Sequence, residues 1–397
     1  MGPWRLSAVL FAGLVLLAEA PALAQGLNEV LVGRLSNSCA GLSGPGVFPG
    51  PTNNPDYGPQ LRGLCGNINA NAGTGQASAA GGTASDESIS SVGPEQRIQR
   101  RIQERLDGGR GLGLFFTTGY ERFDQDTTRF AAGFGQDTVG GTAGVDYILN
   151  RFVLLGAAFN YSHEFGNYIT GGGFDHDSYG VLLFTSLSPF SGAFMDLIAG
   201  YFRKHYHFDR RVLLDIPTLG GADVKVDSKV RSDTDSDEFR FSAYGGYDFI
   251  LRNIRIGPRL GVNYRDMGID GFRESGGTGI ELAYENQNIV SLTTQAGVYA
   301  SIVINTGFGV IVPQTTVEYV HEFLDDQRSV GFRFVQDLRQ RKFLYQTDRP
   351  DRDYMNVAVG VSMIFPGGVT GFANFRELVA YRDRSSHAIS LGVRFEF

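Results

Sequence analysis

His205 and His207 in RKHYHFD, with Asp209 following at the same spacing, put three potential metal ligands on one face of an extended segment. His176 lies between Asp175 and Asp177. These are the donor types of a metal centre, but no matching ligand set recurs elsewhere at a recognisable spacing. The run RSDTDSDE (231–238) offers calcium-type oxygen ligands, yet lacks the glycine turn and closing glutamate of an EF-hand loop. Ser162-His163 and Ser386-His387 raise serine hydrolysis, which needs nucleophile and base in hydrogen-bond reach. Sequence neighbours in a strand point to opposite faces, and no G-x-S-x-G elbow is present. The expectation is a protein with no catalytic site, no cofactor and no metal, whose polar clusters are solvated rims.

The elements that carry these residues alternate with a period of two. In the closing SLGVRFEF, Ile389, Leu391, Val393, Phe395 and Phe397 share one parity, and Ser390, Gly392, Arg394 and Glu396 share the other. The same alternation runs through LGLFFTTGY, TVGGTAGVDY, FVLLGAAFNYS, SYGVLLFTSL, AFMDLIAGYF, FRFSAYGGYDF, IRIGPRLGVNY, VSLTTQAGVYA, VIVPQTTVEY and YMNVAVGVSMIF. GFANFRELV is ragged: Phe372 falls on the polar parity and Glu377 on the apolar one. With the terminal segment this makes twelve strands, an even number.

Composition agrees. The chain has 397 residues, 54 glycines, 30 phenylalanines and 17 tyrosines but only 14 prolines and 19% charged residues. A net charge of −7 argues against a nucleic-acid partner. Residues 1–24 carry Arg5, an apolar run and Ala22-Leu23-Ala24, the form of a secretory signal, too short for a permanent anchor. Residues 25–93 are small, polar and without period, an irregular segment of low complexity. They hold the only two cysteines, Cys39 and Cys65, and export favours a disulfide between them. In GPEQRIQRRIQERLDGG, Ile98, Ile102 and Leu106 recur every four residues, while Pro94 opens and Gly108 closes a helix over 94–107. Its other faces carry Arg97, Arg100, Arg101 and Arg105.

Connections sort by length. Short turns (149–151, 189–191, 251–253, 305–307, 366–368) alternate with long polar stretches (123–135, 164–173, 208–236, 267–288, 323–352). That is the arrangement of a twelve-stranded antiparallel transmembrane β-barrel over 108–397, apolar parity toward lipid, aromatics near strand ends as girdles. Such a barrel has a diameter of about 24 Å, and small inward residues (Gly140, Gly144, Gly156, Ala158, Gly180, Gly246, Gly261, Gly360) would leave roughly the width of a helix. The expected occupant is the cationic helix 94–107, its arginines facing inward acids Glu121, Asp146, Asp196, Asp248, Glu318 and Glu396.

The chain resembles the autotransporter translocator barrels of type V secretion. The resemblance rests on the helix-then-twelve-strand order over 94–397, on YERFDQDTTRF, FDHDSYGVLLFTSL and VPQTTVEYVHEF, and on the terminal SLGVRFEF. It implies a barrel in the Gram-negative outer membrane, a helix in its pore, and export of an upstream passenger to the cell surface. It also implies that Ile389, Leu391, Val393, Phe395 and Phe397 form the signal read by the barrel-assembly machinery. The expected partners are that machinery, periplasmic chaperones, outer-membrane lipid and lipopolysaccharide; the expected state is a monomer. The chain departs from the family in two ways. Only residues 25–93 stand where a long passenger would, and no Asn-Asn pair near the helix supports self-cleavage. The function expected is translocation or anchoring of this very short segment. The alternative is a passenger-less pore or adhesin-like barrel acting through its loops.

Overall fold

The computed structural model describes residues 74–77, 111–216, 224–276 and 279–397. The signal segment, Cys39, Cys65 and helix 94–107 with its four arginines lie outside the described residues. A short strand β1 (Thr74–Ala77) precedes the barrel strands β2 (Leu112–Gln125), β3 (Phe134–Asn150), β4 (Val153–Tyr168), β5 (Gly172–Leu187), β6 (Ala193–Ile216) and β7 (Val224–Tyr247). A fragment β8 (Phe249–Leu251) continues β7, and β9 (Ile254–Ile269) follows. Then come β10 (Leu282–Tyr284), β11 (Gln287–Ile302), its continuation β12 (Ile304–Thr306), β13 (Gly309–Glu322), β14 (Ser329–Phe334) and β15 (Phe343–Gln346). The chain ends with β16 (Asp353–Phe365), β17 (Val369–Val379) and β18 (Arg384–Glu396).

Twelve of these pair antiparallel in the order β2-β3-β4-β5-β6-β7-β9-β11-β13-β16-β17-β18, and β18 returns to β2, so the sheet closes without an edge. Closure matters because an unpaired strand edge in hydrocarbon would leave backbone groups unsatisfied. The seam is in register from Arg384↔Gln125 to Glu396↔Gly113, and the Phe397 amide donates to the Leu112 carbonyl at 3.0 Å. All twelve expected strands are present.

The apolar parity faces out. Leu112, Leu114 and Phe116 on β2, and Ile389, Leu391, Phe395 and Phe397 at the C-terminus, are exposed, while Phe115, Thr117 and Glu121 are buried in the interior. The ragged segment is explained by register. Phe372 faces inward directly opposite Gly392, and Glu377 faces outward opposite His387. Phe372 is one case of a repeated arrangement: Phe115 opposes Gly144, Phe184 opposes Gly156, Phe202 opposes Gly180, Phe194 opposes Gly246, and Tyr244 opposes Gly261. In each pair a Cβ on the glycine would collide with the ring. Five of the glycines expected to hollow the passage (Gly144, Gly156, Gly180, Gly246 and Gly261) are therefore covered by rings, while Gly140 and Gly360 face Ser162 and Asn374, and the inner wall is not an empty small-residue cylinder. Cross-strand neighbours directly opposite are close enough for one side chain to fill the space the other lacks.

Tight turns at 151–152, 188–192, 252–253, 307–308 and 366–368 lie on one rim, the last with Gly367 and Gly368 at φ 91° and 83°. At the other rim, two stretches read from sequence as loops prove to be strand. β4 and β5 continue to a turn at 169–171, and β6–β7 form a 24-residue ribbon. On the ribbon the outward face turns charged while Tyr206, Phe208 and Val212 lie on the inward face, and this switch of the apolar parity hides the continuing period. Outside lipid, the ribbon's outward face needs no apolar side chains and is held by Arg211–Asp227 (2.6 Å), Asp209–Arg231 (2.9 Å) and His207–Asp233 (2.6 Å). β1 adds to this ribbon, pairing antiparallel with β6 from Thr74↔Asp215 to Ala77↔Val212, next to where β5 ends at Gly172↔Arg210.

Candidate functional site

The closed sheet encloses a lumen, and strand alternation decides what lines it. The acids expected to face inward do so: Glu121, Asp146, Asp196 and Glu318 are buried, and Asp248 and Glu396 are nearly so. Sequence reading looked for their partners on the helix and missed the cations of the wall. Arg394 of β18 reaches Asp146 at 3.1 Å and Glu396 at 2.5 Å. Arg259 bonds Asp248, and Arg376 approaches Glu318 at 3.8 Å. Ser386 donates to Glu121 at 2.5 Å, and Ser186 donates to Asp196 at 2.6 Å. On β7, fully buried Glu238 collects Arg240 and Arg265 at 2.6 Å each and Lys204 at 3.3 Å. Buried charges persist only when paired and hydrogen-bonded, so a wall with this many couples is a polar channel lining. The signal was available: Arg394, Arg376, Arg259 and Arg240 all sit on the inward parity of their strands.

Part of the wall is apolar. Phe115, Leu154, Leu182, Phe184, Ile198 and Phe202 form one buried cluster on β2 and β4–β6. Arg240 lies over the Phe202 ring at 4.8 Å and Arg259 over Phe194 at 4.6 Å, so cations meet π faces as well as carboxylates. A cationic, partly apolar segment is the kind of chain such a lining suits.

At the long-loop rim the lumen is roofed. Strands β10, β14 and β15 form a separate three-stranded sheet. Phe332, Phe334, Tyr345, Leu282 and Val330 of this sheet are buried. Its rings join those of the wall: Phe332 meets Tyr284 at 6.4 Å, Tyr284 meets Phe272 at 4.7 Å, and Phe272 stacks on Phe208 at 6.0 Å. Phe208 continues through Phe174 to Phe134 and Phe123. Loops 270–286 and 323–352 rise from the β9–β16 side, yet they are fastened across the mouth to β6 and β2. Arg210 and Glu274 form a two-point ion pair at 2.7 and 2.6 Å, both side chains 1% exposed, and Glu274 also accepts the Leu282 amide at 2.7 Å. Thr128 and Gln125 bond Asp348 at 2.8 and 3.3 Å. Within the roof, Arg349 and Arg352 hold Asp325 at 2.7 and 2.8 Å. The Arg352 hydrogen bond, with both guanidinium charges, keeps the Asp325 carboxyl below its ordinary range. Nothing in the local periodicity of β10, β14 and β15 announced this sheet.

The catalytic-looking clusters separate. Ser162 and Ser386 face inward while His163 and His387 face outward, so neither pair can act together. Among the described residues no three His, Cys, Asp or Glu side chains gather as a metal site. His205 and His207 bond Asp235 and Asp233 instead.

Comparison with known proteins agrees with this geometry. The family model for the autotransporter beta-domain matches residues 114–376. The structure is similar to the translocator domain of autotransporter NalP from Neisseria meningitidis, with a TM-score of 0.60 at 15% identity, covering 80% of this chain and 100% of that one. It is also similar to the beta domain of the Bordetella autotransporter Brka, with a TM-score of 0.50 at 16% identity over 72% of this chain and 100% of that one. No curated protein sequence matches the chain. The tight-turn rim is then the periplasmic one and the roofed rim the outer one, and the chain belongs to the autotransporter beta-domain family, an outer-membrane β-barrel.

Proposed function

We propose that this barrel carries its own short N-terminal segment, residues 25–93, to the cell surface and holds it there. The observation that supports the reading most is the position of β1. Thr74–Ala77 pairs with the end of β6 that projects beyond the outer rim, whereas β2 begins at Leu112 on the periplasmic rim. The chain between must pass from one side of the membrane to the other. Threading the lumen is the route that exposes none of its backbone to lipid. A helix over 94–107 would be about 21 Å long, close to the height of the apolar band, and Arg97, Arg100, Arg101 and Arg105 would meet the acids of the wall. No Asn-Asn pair lies near the helix, so the family's self-cleavage is not carried over to this chain.

The roof gives the alternative its one specific support. A barrel closed on top by folded loops can act through those loops alone, without a passenger. Surface proteolysis of intact cells decides between them. The secretion reading expects residues 25–93 to be cut from outside. If only the loops are cut while residues 25–93 survive until the outer membrane is permeabilised, the passenger-less reading stands instead.

A further inference from the structure

Five of the six histidines of this chain lie on the outward face of the barrel near its outer rim. Each sets Nδ1 against a carboxylate directly opposite on the neighbouring strand: His163–Asp177 (3.0 Å), His205–Asp235 (2.7 Å), His207–Asp233 (2.6 Å), His321–Asp353 (2.7 Å) and His387–Glu377 (2.6 Å). Two arginines complete the series, Arg122 on Asp137 and Arg203 on Asp237, both at 2.8 Å. Four units also share a tyrosine two residues closer to the membrane, whose hydroxyl donates to the same acid: Tyr120–Asp137, Tyr161–Asp177, Tyr201–Asp237 and Tyr319–Asp353.

Register places the four tyrosine-bearing units at one height, and His205–Asp235 and His207–Asp233 stack two and four residues above Arg203–Asp237 on the β6–β7 ribbon. Strands about 4.8 Å apart and tilted about 40° must step by roughly 1.2 residues per strand to stay level. Tyr120 is in line with Val139 and His163, so Tyr161 lies two residues lower after two strands. Tyr161 is in line with Tyr179 and Arg203, and Tyr201 repeats the step. On the far side the register runs Val317–Val357–Glu377–His387–Arg122, which sets Tyr319 four residues above Tyr120 across four strands. The pattern is a level belt whose tyrosines mark the hydrocarbon edge.

With Nδ1 committed to an acid, Nε2 is the nitrogen each imidazole keeps for an outside partner, and it donates once the ring is protonated. The seven couples then balance: seven acids against two arginines leave −5 with neutral histidines, and 0 with all five charged. We infer that this belt is the contact surface for the phosphate-bearing glycolipid of the outer leaflet, lipopolysaccharide, and that it grips the phosphates more tightly as pH falls through the histidine range. Other charges bear on the rings. Asp177 flanks His205 from β5, Arg203 shares Asp235, Asp175 and Asp209 stand beside His207, and Arg122 faces His387 from β2. His207, above the tyrosines, is raised from its ordinary value by the Asp233 hydrogen bond. The inference does not depend on what the lumen carries.

The test uses the full chain refolded in detergent with EDTA, so that no divalent cation bridges acid and phosphate. Binding of lipopolysaccharide and of the same lipid stripped of its phosphates is measured at about pH 5.5 and about pH 8. The expected result is a Kd for the phosphorylated lipid about tenfold lower at the acid pH, and no such step for the stripped lipid. The combination His163→Gln, His205→Gln and His321→Gln should remove most of the step, and Arg151→Gln on the periplasmic rim should leave it. In the unaltered chain, 15N signals of the histidine Nε2 atoms should shift with the phosphorylated lipid only. Equal affinity at both pH values, equal binding of the stripped lipid, or unmoved Nε2 signals would overturn the inference.

Discussion

Replacing Glu274 by glutamine removes one charge from the roof and one of the two acceptors that Arg210 uses, while the amide oxygen can still accept the Leu282 N–H. Arg210 then stays positive with its guanidinium 1% exposed and its principal counter-charge gone. Breaking a buried pair from one side costs about 3–5 kcal/mol, chiefly through the charge left behind. At 1.4 kcal/mol per factor of ten, opening of the roof should become roughly 10²-fold to a few thousandfold more frequent. The assay is amide hydrogen exchange on the full chain in detergent. Protection should fall by that factor at β10, β14 and β15, while the β2–β18 seam stays protected. The paired change Arg210→Met with Glu274→Gln removes both charges and keeps an acceptor for the Leu282 amide, so it should restore most of the protection. Unchanged exchange in Glu274→Gln, or a double variant as loose as the single one, would refute the reasoning that this ion pair clamps the roof.

Gly156→Ala places a methyl group in the ring of Phe184 and should cost about 1–3 kcal/mol, read as a lower temperature for loss of the compact band on cold-loaded gels; adding Phe184→Leu should recover part of it. The roof should also loosen in acid. The Asp325 pKa is depressed in the folded state, so its contribution is present above the ordinary carboxylate value and is lost as pH falls through the depressed one. Protease cleavage within 323–352 should therefore rise below about pH 4 and stay flat above it. Phe397→Ser leaves the lumen untouched and should reduce the amount of barrel reaching the outer membrane, measured by fractionation. Unaltered yield would remove the assembly role that the terminal aromatic residue suggests.

Much of the barrel is legible from parity alone, because a wall with lipid on one side and water on the other forces alternation in every strand. Even the ragged β17 obeys once its neighbour is known: Phe372 turns inward because Gly392 leaves room for it. What parity cannot give is who meets whom across the lumen. Asp146 and Arg394 are separated by 248 positions, and Arg210 and Glu274 by 64, so no local spacing couples them. The ribbon beyond the outer rim was misread for a related reason. Above the lipid the outward face of β6 and β7 is charged and the inward face mixes Tyr206, Phe208, Val212 and Val230 with Lys204 and Arg210, so the apolar parity switches sides and the stretch resembles a loop. The roof is hardest to foresee, since β10 and β15 are three and four residues long and become strands only through each other.

In the proposed topology the N-terminal segment crosses the outer membrane and docks on β6. Cysteines at Gln76 and Leu213, opposite one another in the β1–β6 register, test this in a chain whose native cysteines are replaced by serine. An oxidant confined to the outside of intact cells should join them, and a membrane-impermeant thiol reagent should label Gln76→Cys from outside when Leu213 is left unaltered. Labelling of Gln76→Cys only after the outer membrane is permeabilised, with no cross-link formed, would contradict the account.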